Sequence, residues 1–406
     1  MPNRALLIVI IHFIFSPIFV VAQGTYTGSG AVSQGVATTV LTNIFPGCTG
    51  ARTANTGVIT AFDSTIWSVP ADVNFTTAPR LPDLYNQCSG VIPSSLSAVN
   101  LANVPVTVID PAGDTITAYL LGDNYFEFYV NGVLVGVDPV PYTPFNSCVV
   151  RFKVSRPYTI ALKLVDWEEH LGVGTEVNNG NNYHAGDGGF IAVFSDSTIT
   201  NATWKAQTFY IAPIENLSAV QELSDGTRSS ATASTAPACT TNCYAIHYPQ
   251  PVNWQQASFD DSSWPDAVTY TPTVVGVNWP AYTNFASLWT RAEFIWSSNL
   301  ILDNLVLVRK TIGSSSGIAT PPVEKLLKSA HFENSSLIIE HGRLNHIAHI
   351  QLTDQSGRLI GQWDQTDNNQ SGKWQLIVNS VLSSGIYYLT VSSEQNKETI
   401  KIINNN

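Results

Sequence analysis

The sequence predicts an all-β protein built from one or two β-sandwich domains and a small C-terminal β-sandwich. Three observations predict this class. Short segments alternate apolar and polar side chains with the period of a half-buried strand, and turn residues separate them. Charged residues make up only 12% of the chain, whereas Thr, Ser, Asn, Val and aromatic residues are abundant, a composition that favours strands over surface helices. No long stretch carries the periodicity of an amphipathic helix.

Residues 1–22 have the pattern of a secretory signal peptide. Arg4 supplies a positive charge, residues 5–21 form an almost unbroken apolar run, and Ala22 is a small residue ahead of a predicted cleavage before Gln23. No other stretch is long and apolar enough to span a bilayer. We therefore expect a mature protein outside the cytoplasm that has no transmembrane anchor.

The charge balance excludes nucleic acid as a partner. The chain has 19 Lys and Arg residues against 30 Asp and Glu residues, which gives a formal net charge of −11. Phosphate binding needs a basic face, and nothing in this sequence supplies one. Residues 23–103 are predicted to form an N-terminal region of strands and loops.

The clearest strand pattern lies in a central region, residues 104–225. Alternate side chains from Phe126 to Val130 fall on one face of a predicted strand, and the other side chains fall on the opposite face. Asn131-Gly132 is a strong signal for a two-residue hairpin turn into the next strand. A core between two stacked sheets is the simplest consequence.

The passages 123–136 and 158–166 resemble the galactose-binding-like jelly-roll modules that accompany glycoside hydrolases and other secreted bacterial proteins. The resemblance covers about residues 106–213 and implies a β-sandwich. It implies no ligand, because many such modules bind no sugar. A similar pattern recurs in residues 243–312, after a Ser- and Thr-rich stretch at 226–242 that is predicted to be a linker. This later segment either forms a second sandwich or supplies strands that complete the first.

Polar residues that follow the strand ending at Val165 form the candidate ligand site. They lie in a Gly-rich loop that returns into a strand at Phe190, and loops at the end of a rigid sandwich commonly carry binding sites. In a first hypothesis, aromatic rings pack against sugar rings while acids and a histidine form hydrogen bonds with hydroxyl groups. The residues with this predicted role are Asp166, Trp167, Glu168, Tyr183, His184, Asp187 and Trp204.

Two other hypotheses fit the same loop. Glu168, Glu169 and Asp187 offer oxygen ligands for calcium, although no EF-hand spacing is present. Alternatively, the loop is a solvated turn whose acids are surface charge. We assign no catalytic residue, because the chain has no nucleophile elbow, no zinc-protease helix motif and no P-loop. Hydrolysis of a polysaccharide by Glu168 or Glu169 with Asp187 stays an alternative.

The cysteines suit an extracellular protein, because thiols are free to pair outside the cytoplasm. Cys239 and Cys243 are close enough in sequence to close a small loop. We expect one further bridge among Cys48, Cys88 and Cys148, and the sequence does not decide which two of them pair.

Residues 325–406 follow a second predicted linker at 313–324 and show short alternating strands, which predict a small immunoglobulin-like sandwich. Its turns and strands carry a set of residues that resembles the type A C-terminal sorting domain of the type IX secretion system. This set is Asp354, Gly357, Arg358, Gly385, Tyr387 and Lys401. The resemblance implies that an outer-membrane translocon recognises this region and that the protein is secreted or held on the outer-membrane surface of a Gram-negative bacterium.

The sequence therefore predicts a protein that is exported through the type IX secretion system and binds extracellular carbohydrate or mediates adhesion. Its expected partners are the secretion translocon and a glycan, and calcium is the one cofactor under consideration. A structural protein of the cell surface or matrix, with no defined ligand, is the alternative.

Overall fold

The computed structural model describes residues 26–46, 48–313, 327–333, 336–341, 347–366, 372–378, 382–392 and 397–404. The predicted signal peptide, residues 1–22, and nearly all of the predicted linker at 313–324 lie outside the described residues. The chain divides into two compact units, Met1–Ser314 and Ser315–Asn406.

Strands dominate the first unit, and its α-helices are single turns. Its strands are β1 (Ala31–Gln34), β2 (Thr38–Leu41), β3 (Thr56–Thr60), β4 (Ile66–Val69), β5 (Asp83–Tyr85), β6 (Val106–Val108), β7 (Asp114–Asp123), β8 (Tyr125–Val130), β9 (Val133–Val137), β10 (Ser147–Val154), β11 (Tyr158–Val165), β12 (Glu176–Asn178), β13 (Asn181–His184), β14 (Gly189–Phe194), β15 (Lys205–Ile214), β16 (Gln221–Glu222), β17 (Arg228–Ser229), β18 (Tyr244–His247), β19 (Val268–Tyr270), β20 (Phe294–Trp296) and β21 (Asp303–Ile312). The helices are α1 (Pro272–Val275), α2 (Pro280–Thr283) and α3 (Ala286–Trp289).

Two large antiparallel sheets form the body of this unit. Sheet I has seven strands in the order β1-β18-β15-β21-β11-β8-β9. Sheet II has the order β19-β20-β14-β7-β10-β5, and β6 pairs in parallel with β10. A smaller sheet, β2-β3-β4, comes from the N-terminal region. The prediction of an all-β sandwich protein is confirmed.

Aromatic and branched side chains of both sheets meet in one core. The rings of Phe128 on β8 and Phe152 on β10 lie 5.8 Å apart, and those of Phe126 and Phe190 lie 5.5 Å apart. On β11, Leu162 pairs with Phe128 and points into the same space. The predicted alternation along β8 is therefore correct, and its even-numbered residues fill the sandwich interior.

The opposite face of sheet I is also buried, which the period of two did not predict. Tyr125 packs edge-on against Phe75 at 6.2 Å, and Tyr129 packs against Trp254 at 5.5 Å, so segments from both ends of the unit cover this face. Glu127 is tolerated there because Tyr129 donates a hydrogen bond to it at 2.6 Å and Lys163 lies 3.7 Å away.

Residues 243–312 do not form a sandwich of their own. β18 and β21 lie in sheet I, where β21 is inserted between β15 and β11, and β19 and β20 extend sheet II. The stretch 226–242, predicted to be a linker, is packed instead. The Arg228 guanidinium lies 3.8 Å from the centre of the Tyr248 ring, and buried Ser230 donates a hydrogen bond to Asp303 at 2.8 Å.

The second unit consists of antiparallel strands around an apolar centre. Its strands are β22 (Leu327–Glu333), β23 (Ser336–His341), β24 (Ile347–Asp354), β25 (Leu359–Thr366), β26 (Gly372–Ile377), β27 (Gly385–Ser392) and β28 (Lys397–Asn404). They form two sheets, β22-β23-β26 and β25-β24-β27-β28. Leu337 and Ile339 from the first sheet and Leu352 and Leu389 from the second are fully buried in one cluster, so the unit is a small sandwich.

The structure decides the cysteine pairing that the sequence left open. Cys48 is bonded to Cys88, and Cys239 is bonded to Cys243 as predicted. Cys148 keeps a free thiol in the sandwich core, where burial raises its pKa. Among the described residues, no helix has the length and apolarity needed to cross a membrane.

Candidate ligand site at one end of the sandwich

Strand pairing brings several carboxyl groups to one end of the first unit. β7 ends at Asp123, which pairs with the first residue of β14, Gly189. β11 ends at Val165, which pairs with Tyr125 at the start of β8, so the Asp166 that follows lies at the same end. Asp187 precedes β14 by two residues and therefore lies at this end as well.

Gly186 lies directly against the Asp166 carboxylate. A Cβ atom on Gly186 would lie 3.2 and 3.3 Å from the two carboxylate oxygens of Asp166, and 3.5 Å from the Cδ of Glu176. The loop therefore passes close over Asp166 because residue 186 lacks a side chain. We call Asp123, Asp166, Glu176 and Asp187 the carboxyl cluster.

Burial and mutual repulsion keep these acids from ionising easily. Asp123 and Asp166 are 3% and 4% exposed. Burial, and then the charge of Asp187, raises the pKa of Asp123 well above its usual range. Burial, and then the charges of Glu176 and Asp187, does the same to the pKa of Asp166. The pKa of Asp187 rises to about 7 through burial and the charge of Glu176.

Arg52 is the cation whose charge acts on this cluster, and it is held at the cluster's edge. Its guanidinium forms an ion pair with Glu176 and donates a hydrogen bond to the Tyr142 hydroxyl at 3.1 Å. Tyr142 in turn donates to Glu176 at 2.7 Å. Arg52 therefore neutralises Glu176 and leaves Asp123 and Asp166 without an ion pair among the described residues.

Two polar side chains at this end of the sandwich, Asp166 in the carboxyl cluster and Asn304 beside it, lack a hydrogen-bond donor. The Asp166 carboxylate accepts no hydrogen bond from the described residues. Asn304 is 2% exposed, and its Oδ1 atom has no partner in the part of the chain that the structure describes. The Asp166 amide donates to the Asn304 carbonyl at 3.0 Å, which continues the pairing of Leu164 with Val306 two residues away. By alternation, both side chains point between the sheets.

Asn124 fixes the position of Asp123 and of the segment after β11. Its amide nitrogen donates to the Asp123 carboxylate at 2.7 Å, and its amide oxygen accepts a hydrogen bond from the Trp167 backbone at 2.5 Å. The peptide bond between Asp123 and Asn124 is cis.

The hairpin that carries Glu176 also carries an aromatic ring. The hairpin of β12 and β13 pairs Glu176 with His184, and half-buried Tyr183 stacks on His170 with ring centres 4.4 Å apart. Burial lowers the pKa of His170, so its ring is neutral near pH 7. His184 is exposed on the same hairpin. Of the residues predicted from sequence, Asp166 and Asp187 are close enough for their charges to interact, and Tyr183 and His184 lie on the hairpin that carries Glu176.

The other predicted ligand residues have different surroundings. Trp167 is 1% exposed and donates its ring N–H to the Asn55 carbonyl at 3.1 Å. Trp204 is fully buried and precedes Lys205, which pairs with Arg309 at the far end of sheet I. Neither ring offers a face to a sugar, because both are packed in the core.

The side chains of Glu168 and Glu169 accept hydrogen bonds from backbone amides of the segment that follows them. Glu168 accepts hydrogen bonds from the Gly172 amide at 2.8 Å and the Tyr210 hydroxyl at 3.0 Å. Glu169 accepts one from the Val177 amide at 2.8 Å. In the described part of the chain, no three His, Cys, Asp or Glu side chains are placed to hold a metal ion. The calcium hypothesis for Glu168, Glu169 and Asp187 thus gains no support from this geometry.

Sequence reasoning missed Asp123, Glu176, Arg52 and Asn304 as members of this region. Asp123 alone carried a local signal, because it stands with Asn124 between two clear strand patterns. Arg52 and Asn304 reach the site from distant segments, and no spacing rule connects them to it.

In the second unit, the predicted sorting residues form a tight turn and its neighbouring strands. Asp354 accepts hydrogen bonds from the Ser356 hydroxyl at 2.6 Å and the Arg358 side chain at 2.9 Å. These bonds, the Ser356 hydroxyl first, lower the pKa of Asp354 to about 2. Gly357 has a φ of +82°, which suits glycine. The other three residues lie on the last two strands: Gly385 pairs with Asn404, Tyr387 is buried and donates to the Ser383 carbonyl, and Lys401 pairs with Tyr388.

Two solved structures illustrate how the chain aligns with known proteins. The β-glucuronidase from Ruminococcus gnavus in complex with uronic isofagomine aligns at 10% identity over 71% of this chain and 32% of that chain, with a TM-score of 0.15. The apo form of the Pleurotus ostreatus lectin aligns at 13% identity over 72% of both chains, with a TM-score of 0.17. The chain covers about a third of the glucuronidase, and neither alignment establishes a shared fold. No curated protein matches the chain.

The C-terminal unit has a clear family match. Residues 333–405 match the secretion system C-terminal sorting domain, which includes the Asp354 turn and all strands from β23 to β28. Such a domain marks a protein for secretion or for attachment at the cell surface, and its recognition implies contact with the secretion machinery. The second unit of this chain therefore carries a secretion system C-terminal sorting domain.

Proposed function

We propose that this protein, exported through the type IX secretion system, binds extracellular carbohydrate at the carboxyl cluster and the adjacent Tyr183 ring. The sorting domain supports export. The central observation for the binding site is that the buried Asn304 amide oxygen at the sandwich end has no donor among the described residues. The Asp166 carboxylate, whose amide is bonded to the Asn304 carbonyl, also accepts no hydrogen bond from these residues.

Unsatisfied acceptors of this kind favour a hydroxylated ligand. A buried acceptor without a donor costs about 1–3 kcal/mol, because it has lost its water and gained no hydrogen bond. Hydroxyl groups of a sugar supply donors, and they also accept hydrogen bonds from carboxyl groups whose raised pKa keeps them protonated. The same ligand has an apolar ring face, which the half-buried Tyr183 ring can contact.

The position of the site also supports binding. The carboxyl cluster lies where strand ends and the β12–β13 hairpin meet, on a scaffold whose sheets are held by a continuous core. A rigid sandwich positions such loops without ordering them at the moment of binding, which lowers the entropic cost of association.

Glycan-array binding by the full-length protein tests the proposal. We expect retention of a defined group of glycans by the wild type and a loss of at least about tenfold in affinity, roughly 1.4 kcal/mol, for Asp166→Asn and for Tyr183→Ala. Asp114→Asn is the matched control, because Asp114 is exposed at the opposite end of β7 from Asp123. Arrays run with calcium and with a chelator determine whether an ion takes part.

Two results contradict the proposal. Retention of no glycan in either buffer would support a structural protein of the cell surface without a defined ligand. Equal loss of binding in the Asp114 and Asp166 variants would show that net charge, and not the carboxyl cluster, attracts the glycan.

A further inference from the structure

The free polar atoms of the carboxyl cluster are hydrogen-bond acceptors when the acids are ionised. The Asp166 carboxylate and the Asn304 Oδ1 atom lack donors among the described residues, and Asn124 supplies Asp123 with one amide donor at 2.7 Å. Asn304 is an independent feature of the site, because it is uncharged and comes from β21, whose start lies beside Asp166. A partner for both groups must bring N–H or O–H donors.

The negative charge that these acids carry when they ionise also favours a cationic ligand. Arg52 is paired with Glu176 and Tyr142, so the charges of Asp123, Asp166 and Asp187 have no ion pair among the described residues when they ionise. A metal ion is the less suitable cation, because no three acidic or imidazole side chains in the described residues are placed to hold one. An ammonium group fits better, since it brings three donors and forms hydrogen bonds of ordinary length.

We infer that the carbohydrate bound at this site is an amino sugar, whose free ammonium group donates hydrogen bonds to the Asp166 carboxylate and the Asn304 amide oxygen. This inference rests on the proposed carbohydrate binding and specifies its ligand class. The sugar hydroxyls then contact Asp187 and Glu176, and the ring face contacts Tyr183.

Proton release accompanies such binding. Without a ligand, burial keeps protons on the acids of the cluster, and an ammonium group favours the ionised carboxylates instead. The affinity for the amine therefore rises with pH as the carboxyl groups of the cluster ionise, until the amine loses its own proton. The other titratable or charged groups around the four acids of the cluster are Glu168, Glu169, Arg52, Tyr142, Tyr210, His170, Tyr183 and His184.

Calorimetry with two matched oligosaccharides tests the inference on the full-length protein. The probes are a glucosamine tetrasaccharide and the N-acetylglucosamine tetrasaccharide of the same linkage, which differ only in acetylation of the amine. We expect the glucosamine probe to bind at least about tenfold more tightly near pH 7 and to release protons, seen as a binding heat that changes with the ionisation enthalpy of the buffer. Tetralysine, a cation without a sugar, is expected to bind weakly.

Variants separate the site from the general acidity of the protein. Asp166→Asn and Asn304→Ser should each remove most of the preference for the free amine, and Asp114→Asn should keep it. Urea unfolding of each variant checks the fold, and Asn304→Ser provides a second measurement if Asp166→Asn unfolds.

Three outcomes would overturn the inference. Tighter or equal binding of the acetylated probe, while array binding persists, would refute the amine and leave carbohydrate binding standing. Equal binding of tetralysine would show attraction of any cation. Binding of neither probe by a protein that does retain other glycans would exclude amino sugars, whereas retention of no glycan at all would remove the proposed function too.

Discussion

Several buried carboxyl groups have raised pKa values, and their titration makes the stability of the folded protein depend on pH. Glu168 is 2% exposed and forms no ion pair with any described residue, and burial raises its pKa from an ordinary 4.5 to about 7 despite the hydrogen bonds from Gly172 and Tyr210. Asp303, which accepts hydrogen bonds from Ser297, Ser230 and Thr208, has a pKa raised by burial to about 6. These acids bind protons more readily in the folded state than in the unfolded state, so folding is favoured at acidic pH.

Replacing Glu168 by Gln should weaken the pH dependence of stability. Because the folded pKa lies above the unfolded one, the contribution of Glu168 is complete below about pH 4.5 and is lost as the pH rises to about 7, by roughly 3 kcal/mol. Gln keeps an acceptor for the Gly172 amide and carries no charge. Urea unfolding near pH 5 and pH 8 should show Glu168→Gln gaining stability relative to the wild type at the higher pH, whereas Asp114→Asn follows the wild type. An unchanged difference between the two pH values would refute this role.

His247 acts in the opposite direction. It is buried between the rings of Trp67 and Tyr210, and burial lowers its pKa to about 3. The unfolded chain protonates this histidine below about pH 6.5, so its contribution to stability is lost as the pH falls from about 6.5 to about 3. Together, the raised pKa values of Glu168 and Asp303 and the lowered pKa of His247 predict a maximum of stability at a mildly acidic pH.

At the scale of elements, the two disulfides should contribute unequally. Cys48–Cys88 joins residues 40 positions apart, whereas Cys239–Cys243 joins residues 4 positions apart. A cross-link restricts the unfolded chain more when the loop is longer, which gives about 4 kcal/mol for the first bridge and about 2 kcal/mol for the second. Urea unfolding of the Cys48→Ser, Cys88→Ser double variant should show the larger loss, with the Cys239→Ser, Cys243→Ser double variant as its comparison. A larger loss from the short loop would contradict the prediction.

The position of β21 makes the central region dependent on the end of the first unit. β21 pairs with β11 over eight residues from Tyr158 to Val165 and also with β15, so a chain without it leaves two strand edges and an apolar face uncovered. We expect a fragment of residues 104–225 to be insoluble or unfolded by circular dichroism, and a fragment of residues 26–313 to unfold cooperatively. A cooperative transition in the shorter fragment would refute the dependence.

Local sequence patterns predict the individual strands and turns of this fold better than the order of the strands within each sheet. The Asn131-Gly132 turn joins β8 and β9 with φ values of +49° and +82°, as its sequence predicts, because only a few residue types accept these angles. The insertion of β21 between β15 and β11 could not be predicted, since pairing between strands that are far apart in the sequence leaves no local period.

The same limit applies to the candidate site. Asp166, Tyr183 and Asp187 could be predicted as a group because one Gly-rich loop carries them. The sequence could not show that Trp167 and Trp204 are buried and not exposed, because a core tryptophan and a ligand-binding tryptophan have the same local sequence pattern. Their burial depends on segments that come from elsewhere in the chain, such as Asn55 beside Trp167.

For the whole molecule, the two units have separate cores, and the match to a sorting domain lies in the second unit alone. The first unit holds the carboxyl cluster and its own core, and the second matches a sorting domain over residues 333–405 and has a core of its own. Export should therefore depend on the second unit, while the fold of the first should not.

Removal of residues 315–406 should block export and leave the first unit folded. In a bacterium with a type IX secretion system, we expect the truncated protein to accumulate in the periplasm, because it lacks the domain that the translocon recognises. Asp354→Ala should reduce export by loosening the turn that Ser356 and Arg358 close, whereas Glu340→Ala, an exposed change on β23, should leave export unchanged. Immunoblots of periplasm, outer membrane and medium measure the distribution, and thermal unfolding of the truncated protein measures its fold. Appearance of the truncated protein in the medium at the wild-type level would show that the signal for export lies in the first unit.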